Sequence, residues 1–208
     1  MSEALAVRPG RDARRALGMT PGKFAMWAFL ASDGMGFVGL FAAYIATRLH
    51  AGWWPDPNNP AVLNVDLTAL NTFILVCSSV TMVYALQACR EDRIRACAGY
   101  LGLTILGGAS FLGVQVYEYI HLSESGMVPW EDNFCATFYS LTCYHGLHVL
   151  SGVIYLICIL IGTLRGRYNS KNYTPIEIVG LFWHFVDLVW ILLFTFIYLL
   201  RPLGGETF

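Results

Sequence analysis

Five ionisable side chains sit where a soluble protein would put none. His145 and His148 are three residues apart within an apolar run. His184 and Asp187 repeat that spacing inside another, Leu181-Phe182-Trp183-His184-Phe185-Val186-Asp187-Leu188-Val189-Trp190. Asp33 stands alone in a third. An ionisable group deep in a bilayer costs about 2.5–3.5 kcal/mol on insertion scales, so each needs a partner or a task. Three kinds of chemistry suit the set. The residues can form a hydrogen-bonded polar cluster that fixes helix packing. They can hold and release a proton at Asp33 or Asp187. Histidines on two different spans can also ligate haem or a metal. Gln115 and Glu118, again three apart, form a separate polar pair.

The elements that must position these groups follow from the charges. Of 208 residues, 56% are apolar and 13% charged, and the mean hydropathy is +0.55. That is about half the charged fraction of an average soluble domain. Uncharged or nearly uncharged runs cover about 24–47, 67–89, 96–120, 134–164 and 177–200. Each reaches the roughly 20 residues that a membrane-crossing helix requires. A barrel would instead show strictly alternating segments of about 10 residues. The expected fold is an all-α membrane protein, a five-transmembrane-helix bundle over 24–200. An arm, 1–23, precedes it, and a tail, 201–208, follows.

At 1.5 Å per residue, Asp33 and Asp187 each lie roughly 14 Å in from the same membrane face. His184 lies about 9 Å in, and His145 and His148 about 17 and 21 Å down from the other face. Asp33, His145, His148, His184 and Asp187 are therefore expected in one central to inner layer. Residues three apart on a helix share a face, so two histidines and two carboxylates on different helices are placed to satisfy each other. Glu118 and Gln115 belong to an outer layer.

Eleven of the thirteen basic residues fall in the arm and in the turns at 90–95 and 165–171. The positive-inside rule then puts the N-terminus in the cytoplasm and the C-terminus in the periplasm. The opposite side holds Trp53, Trp54 and Trp130, suited to the headgroup layer, and three prolines between 55 and 60 that exclude helix there. The net charge of −1 gives no electrostatic basis for binding nucleic acid. The six cysteines include no C-x-x-C pair and read as small apolar residues. No P-loop, dinucleotide fingerprint or nucleophile elbow is present.

The motifs resemble a family. Ala31-Ser32-Asp33, Gln115-x-x-Glu118-Tyr119, His145-Gly146-Leu147-His148-Val149 and Trp183-His184-Phe185-Val186-Asp187-x-Val189-Trp190 are similar to signatures of subunit III of the haem-copper terminal oxidases. The resemblance implies an accessory subunit without catalysis of its own, in a cytochrome-c or quinol oxidase complex of the bacterial inner membrane. Haem and copper then lie in partner subunits. Subunit I is the direct neighbour, with subunit II, subunit IV or other respiratory complexes beyond it, and phospholipid is the bound ligand. It also implies support of proton uptake by subunit I, with Asp33 at the position of the family's carbodiimide-reactive carboxylate. Many relatives have Glu at that position, and the Asp form resembles the quinol-oxidase branch. Many relatives also have seven helices, of which the first two form one wall of a lipid cleft. An accessory subunit of a nitric oxide reductase, or a free-standing proton carrier or haem protein, stands as the alternative.

Overall fold

The computed structural model describes residues 20–51 and 64–199. The N-terminal arm through residue 19, the loop 52–63 with Trp53 and Trp54, and the tail from residue 200 lie outside the described residues. Five helices fill the described chain: α1 Pro21–His50, α2 Val65–Arg90, α3 Ile94–Glu124, α4 Asn133–Leu164 and α5 Thr174–Phe194. All five are long and apolar enough to cross a membrane. Polar caps start three of them ahead of the uncharged runs. Thr20, Asn64 and Asp132 each accept a backbone N–H from the first turn of α1, α2 and α4, satisfying a donor that has no partner within the helix. Pro21 and Pro175 occupy first-turn positions, where a missing N–H costs nothing.

Three helices end alike. After α2, α3 and α4 the chain enters the left-handed region at Asp92 (φ 56°), Gly126 (φ 82°) and Gly166 (φ 71°). In each case the next residue's N–H returns to a carbonyl five residues back, Arg93 to Ala88, Met127 to Leu122 and Arg167 to Gly162. This tight reversal makes the helices antiparallel neighbours. Asp92 tolerates the conformation that usually selects glycine. Its carboxylate also accepts the backbone N–H (2.7 Å) and the hydroxyl (2.6 Å) of Ser170, tying the α2–α3 turn to the α4–α5 connection. Those two hydrogen bonds hold the Asp92 carboxyl below its ordinary range. At the same end of the bundle Glu177 pairs with Lys23 at 2.7 Å and Arg90 at 3.4 Å, joining α1, α2 and α5.

Helix α5 is central. Half of its most apolar stretch is buried within the chain, against 17% for α1. It packs on α1, α2 and α4, whereas α1 packs on α4 and α5. Trp183 explains the fit. Its indole is wedged between Gly108 of α3 and Gly152 of α4. A Cβ on Gly108 would lie 2.5 Å from Trp183 Cη2 and 2.8 Å from Val153 Cγ2; one on Gly152 would lie 3.0 Å from the same indole. Trp183 Nε1 donates to Ser78 Oγ of α2 at 3.0 Å, and Ser78 donates to the Leu75 carbonyl. One side chain of α5 thus touches three other helices. Beyond Phe194 a single π-helical turn, Thr195–Leu199, continues the chain.

Gly108→Ala is expected to lower stability by about 1–3 kcal/mol through overpacking. Gly113→Ala, whose Cβ meets nothing within 4 Å, should show no such loss. Thermal denaturation of the two variants in one detergent separates them, and equal losses would refute the wedge. A second expectation concerns acid. A depressed carboxyl pKa stabilises the fold above the unfolded value of about 3.9, and that contribution fades as pH falls through the folded pKa. Asp92→Gly keeps the turn but should lack the part of the acid-side slope due to this group, measured as Tm against pH beside the wild type.

Candidate functional site

The polar residues of the interior do not form one network. They divide between two faces of the bundle, with His145 between aromatic rings.

The first group joins α1 to α4. Asp33 Oδ1 accepts the Tyr144 hydroxyl at 3.1 Å and lies 3.1 Å from His148 Nε2. The side chains of Asp33 and His148 are 8% and 14% exposed. His148 Nδ1 lies 2.7 Å from the Tyr144 carbonyl, which can only accept, so Nδ1 carries a hydrogen. The Nε2–Oδ1 contact then needs one further proton, held either by an imidazolium facing a carboxylate or by a carboxylic acid facing a neutral ring. Asp33 and His148 therefore share one proton. Phe37, one turn after Asp33, covers the pair, with ring centroids 4.8 Å from Tyr144 and 5.2 Å from His148. Gly36 makes room: a Cβ there would stand 3.2 Å from the Tyr144 oxygen.

The second group joins α5 to α2. His184 Nδ1 lies 3.3 Å from Ser79 Oγ, and Ser79 also lies beside Asp187. Asp187 Oδ1 has no protein partner. These two residues thus meet α2, whereas their common depth with Asp33 and His148 predicts the α1–α4 pair.

His145 corrects a further expectation. It is fully buried, and neither ring nitrogen has a protein hydrogen-bond partner. Its ring lies 4.9 Å from Trp190 and 5.8 Å, edge on, from Phe111. Phe37 of α1 reaches both histidines, 6.5 Å from His145 and 5.2 Å from His148, but only His148 has a hydrogen-bonding partner on α1, whereas α5 and α3 supply the rings nearest His145. Trp190 in turn donates through Nε1 to Thr72 Oγ1 at 2.9 Å.

A third group lies toward the other end. Glu118 of α3, 7% exposed, receives Gln115 Nε2 at 3.1 Å and is reached by Tyr198 and Thr68. Gln115 and Glu118 were legible from their spacing. Tyr198 and Thr68 come from 80 and 50 residues away, and no local pattern marked them. Tyr144 had a readable signal, because it is i,i−4 from His148 and so on its face. Ser79 had none.

Among the described residues, no group of three or more His, Cys, Asp or Glu side chains could hold a metal ion. The fold and site define a multi-pass helical membrane protein whose interior carries hydrogen-bonded polar side chains. The family profile described as cytochrome c oxidase subunit III matches residues 15–201. Similar proteins include cytochrome c oxidase subunit 3 of Thermostichus vulcanus, 37% identical over 83% of this chain and 84% of that one. Cytochrome bo(3) ubiquinol oxidase subunit 3 of Pseudomonas putida is 32% identical over 85% and 84%. Cytochrome c oxidase subunit 3 of Bacillus subtilis is 33% identical over 86% of each. The chain belongs to the cytochrome c oxidase subunit III family.

Replacing one partner of a buried charged pair typically costs about 3–5 kcal/mol, because the other is left unmatched. His148→Leu is therefore expected to reduce the folded chain recovered from membranes sharply. His184→Leu should cost less, since Ser79 remains beside Asp187. Comparable yields for both, by quantitative blotting of detergent extracts, would contradict the division into two groups.

Proposed function

We propose that this chain is the non-catalytic accessory subunit III of a haem-copper respiratory oxidase in a bacterial inner membrane. The complex reduces dioxygen to water and translocates protons. The chain sits beside subunit I, with subunit II and, in some assemblies, subunit IV as further neighbours. Haem and copper belong to those partners. The N-terminus faces the cytoplasm, a reading supported by the basic residues at the α2–α3 and α4–α5 turns and at the start of α1. The names of the relatives cover both cytochrome c and ubiquinol oxidases, so the electron donor is chosen elsewhere in the complex.

The observation that carries the reading is the Asp33–His148 pair. One shared proton between two helices, just beneath the least enveloped helix of the bundle, suits a group that accepts a proton and passes it to a neighbour. Helix α1 supports the same view. Trp27, Phe29, Met35 and Val38 are exposed on it, an apolar face fit for a partner helix or phospholipid acyl chains. The subunit so placed supports proton uptake, binds lipid and stabilises subunit I.

Asp33→Asn removes the shared proton while leaving the redox metals of the partner untouched. Oxygen consumption by the assembled oxidase should begin at nearly the wild-type rate and decline faster during sustained turnover. The checks are the oxygen-electrode trace over many turnovers and the haem content of the same sample. Loss of haem, or a trace that matches the wild type throughout, would overturn the reading.

A further inference from the structure

We propose that Glu118 is a second proton-binding site of this chain: the folded bundle holds it as a neutral carboxylic acid that donates its own proton to Thr68. The proposal stands apart from the oxidase reading and from Asp33. It follows from counting hydrogens around one buried carboxyl group.

Glu118 is met from three elements. Gln115, one turn earlier on α3, donates Nε2–H to Oε2 at 3.1 Å. Tyr198, in the π-helical turn after α5, places its hydroxyl 3.1 Å from Oε1 and 3.0 Å from Oε2. Thr68 of α2 places Oγ1 3.2 Å from Oε1. Tyr198 has a single hydrogen for two oxygens. Thr68 has a single hydrogen too, and its shorter contact, 2.9 Å, is to the Asn64 carbonyl, which can only accept. With that hydrogen committed, the Thr68–Glu118 contact has none unless Glu118 supplies it.

Protonation at Oε1 resolves the count. Glu118 Oε1–H donates to Thr68 Oγ1, Thr68 donates to Asn64, and Oε2 accepts from Gln115 and Tyr198. Each hydroxyl hydrogen then has one acceptor, and both carboxyl oxygens are satisfied. An ionised Glu118 would need the Thr68 hydroxyl to turn away from Asn64, whose carbonyl would keep only the Thr68 backbone N–H at 3.0 Å. The other titratable groups facing Glu118 are the phenols of Tyr119 and Tyr139, on α3 and α4. They bring no positive charge. Among the described residues, no Lys, Arg or His is in ion-pair contact with Glu118. Among the described residues, a carboxylate in that setting has only dipoles to offset its burial, whereas the neutral acid needs no counter-charge.

The π-helical turn gives the site its form. A π turn shifts the following side chains relative to a regular helix and recurs at functional sites. Here the turn brings Tyr198 over Glu118, and the carbonyl of Phe196 in the same turn accepts from Tyr44 of α1 at 3.3 Å. Loss or gain of the Glu118 proton would therefore be felt through Tyr198 by the segment that closes α5 onto α1.

The test uses the full chain in lipid, grown with glutamate isotope-labelled at the side-chain carboxyl, and its infrared spectrum at neutral pH. The expected result is a labelled C=O band of a protonated acid that downshifts in heavy water. Glu118→Gln, which can reproduce the hydrogen-bond pattern of the neutral acid, should abolish that band entirely. Thr68→Val, which removes the acceptor, should keep the band and raise its frequency. A wild-type spectrum without the band, or a band that survives in Glu118→Gln, overturns the proposal. So does a Thr68→Val band at the wild-type frequency. Should Glu118→Gln fail to fold, the wild-type and Thr68→Val spectra decide.

Discussion

A carboxyl group buried between apolar helices must find its donors within the protein, because the surrounding lipid offers none. That constraint shapes this bundle more than any loop or cap. Asp33 recruits Tyr144 and His148 from α4. Glu118 recruits Thr68 from α2 and Tyr198 from beyond α5. Each carboxyl thereby ties its helix to others, and each tie excludes alternative rotations of those helices. Dispersion does the rest. Trp183 fills the space that Gly108 and Gly152 leave open, so small residues and one large ring set the spacing of α3, α4 and α5.

The same constraint links packing to proton chemistry. A polar group that cannot be hydrated must balance its hydrogens with the few neighbours it has. At Asp33–His148 the balance calls for one proton between two bases. Its surroundings are aromatic and small: Phe37 over the rings, Gly36 under the phenol. Their shape fills the space around the contact between Nε2 and Oδ1. Position then matters as much as chemistry. Helix α1 is the least enveloped of the five, so this pair lies near a face that the chain itself does not cover.

The five helices were legible because charge is nearly absent from each run, and a helix is the structure that satisfies its own backbone in lipid. The partners of the polar side chains were less so. His145 and His148 share a face in the sense that spacing allows, but the angle between them is wide enough for different helices to meet each one. Depth put His184 and Asp187 level with Asp33. It could not say that α2, through Ser79, would stand against them. Tyr198 escaped notice because the π turn that aims it has no signature in Thr195–Leu199. In each case the missing information was which helix lies beside which, a property of the packed bundle and not of any segment.

Membership of the subunit III family places these proton-bearing side chains in a chain that we read as having no redox centre of its own. The most direct measurement is to tag the chain, purify it from its native membrane under mild detergent, and record the haem spectrum and copper content of the complex. The chain is then dissociated from its companions and measured again. Haem and copper should accompany the complex and stay with the separated partners. A Soret band that remains with the isolated chain, or purification without any haem-bearing partner, would contradict the assignment.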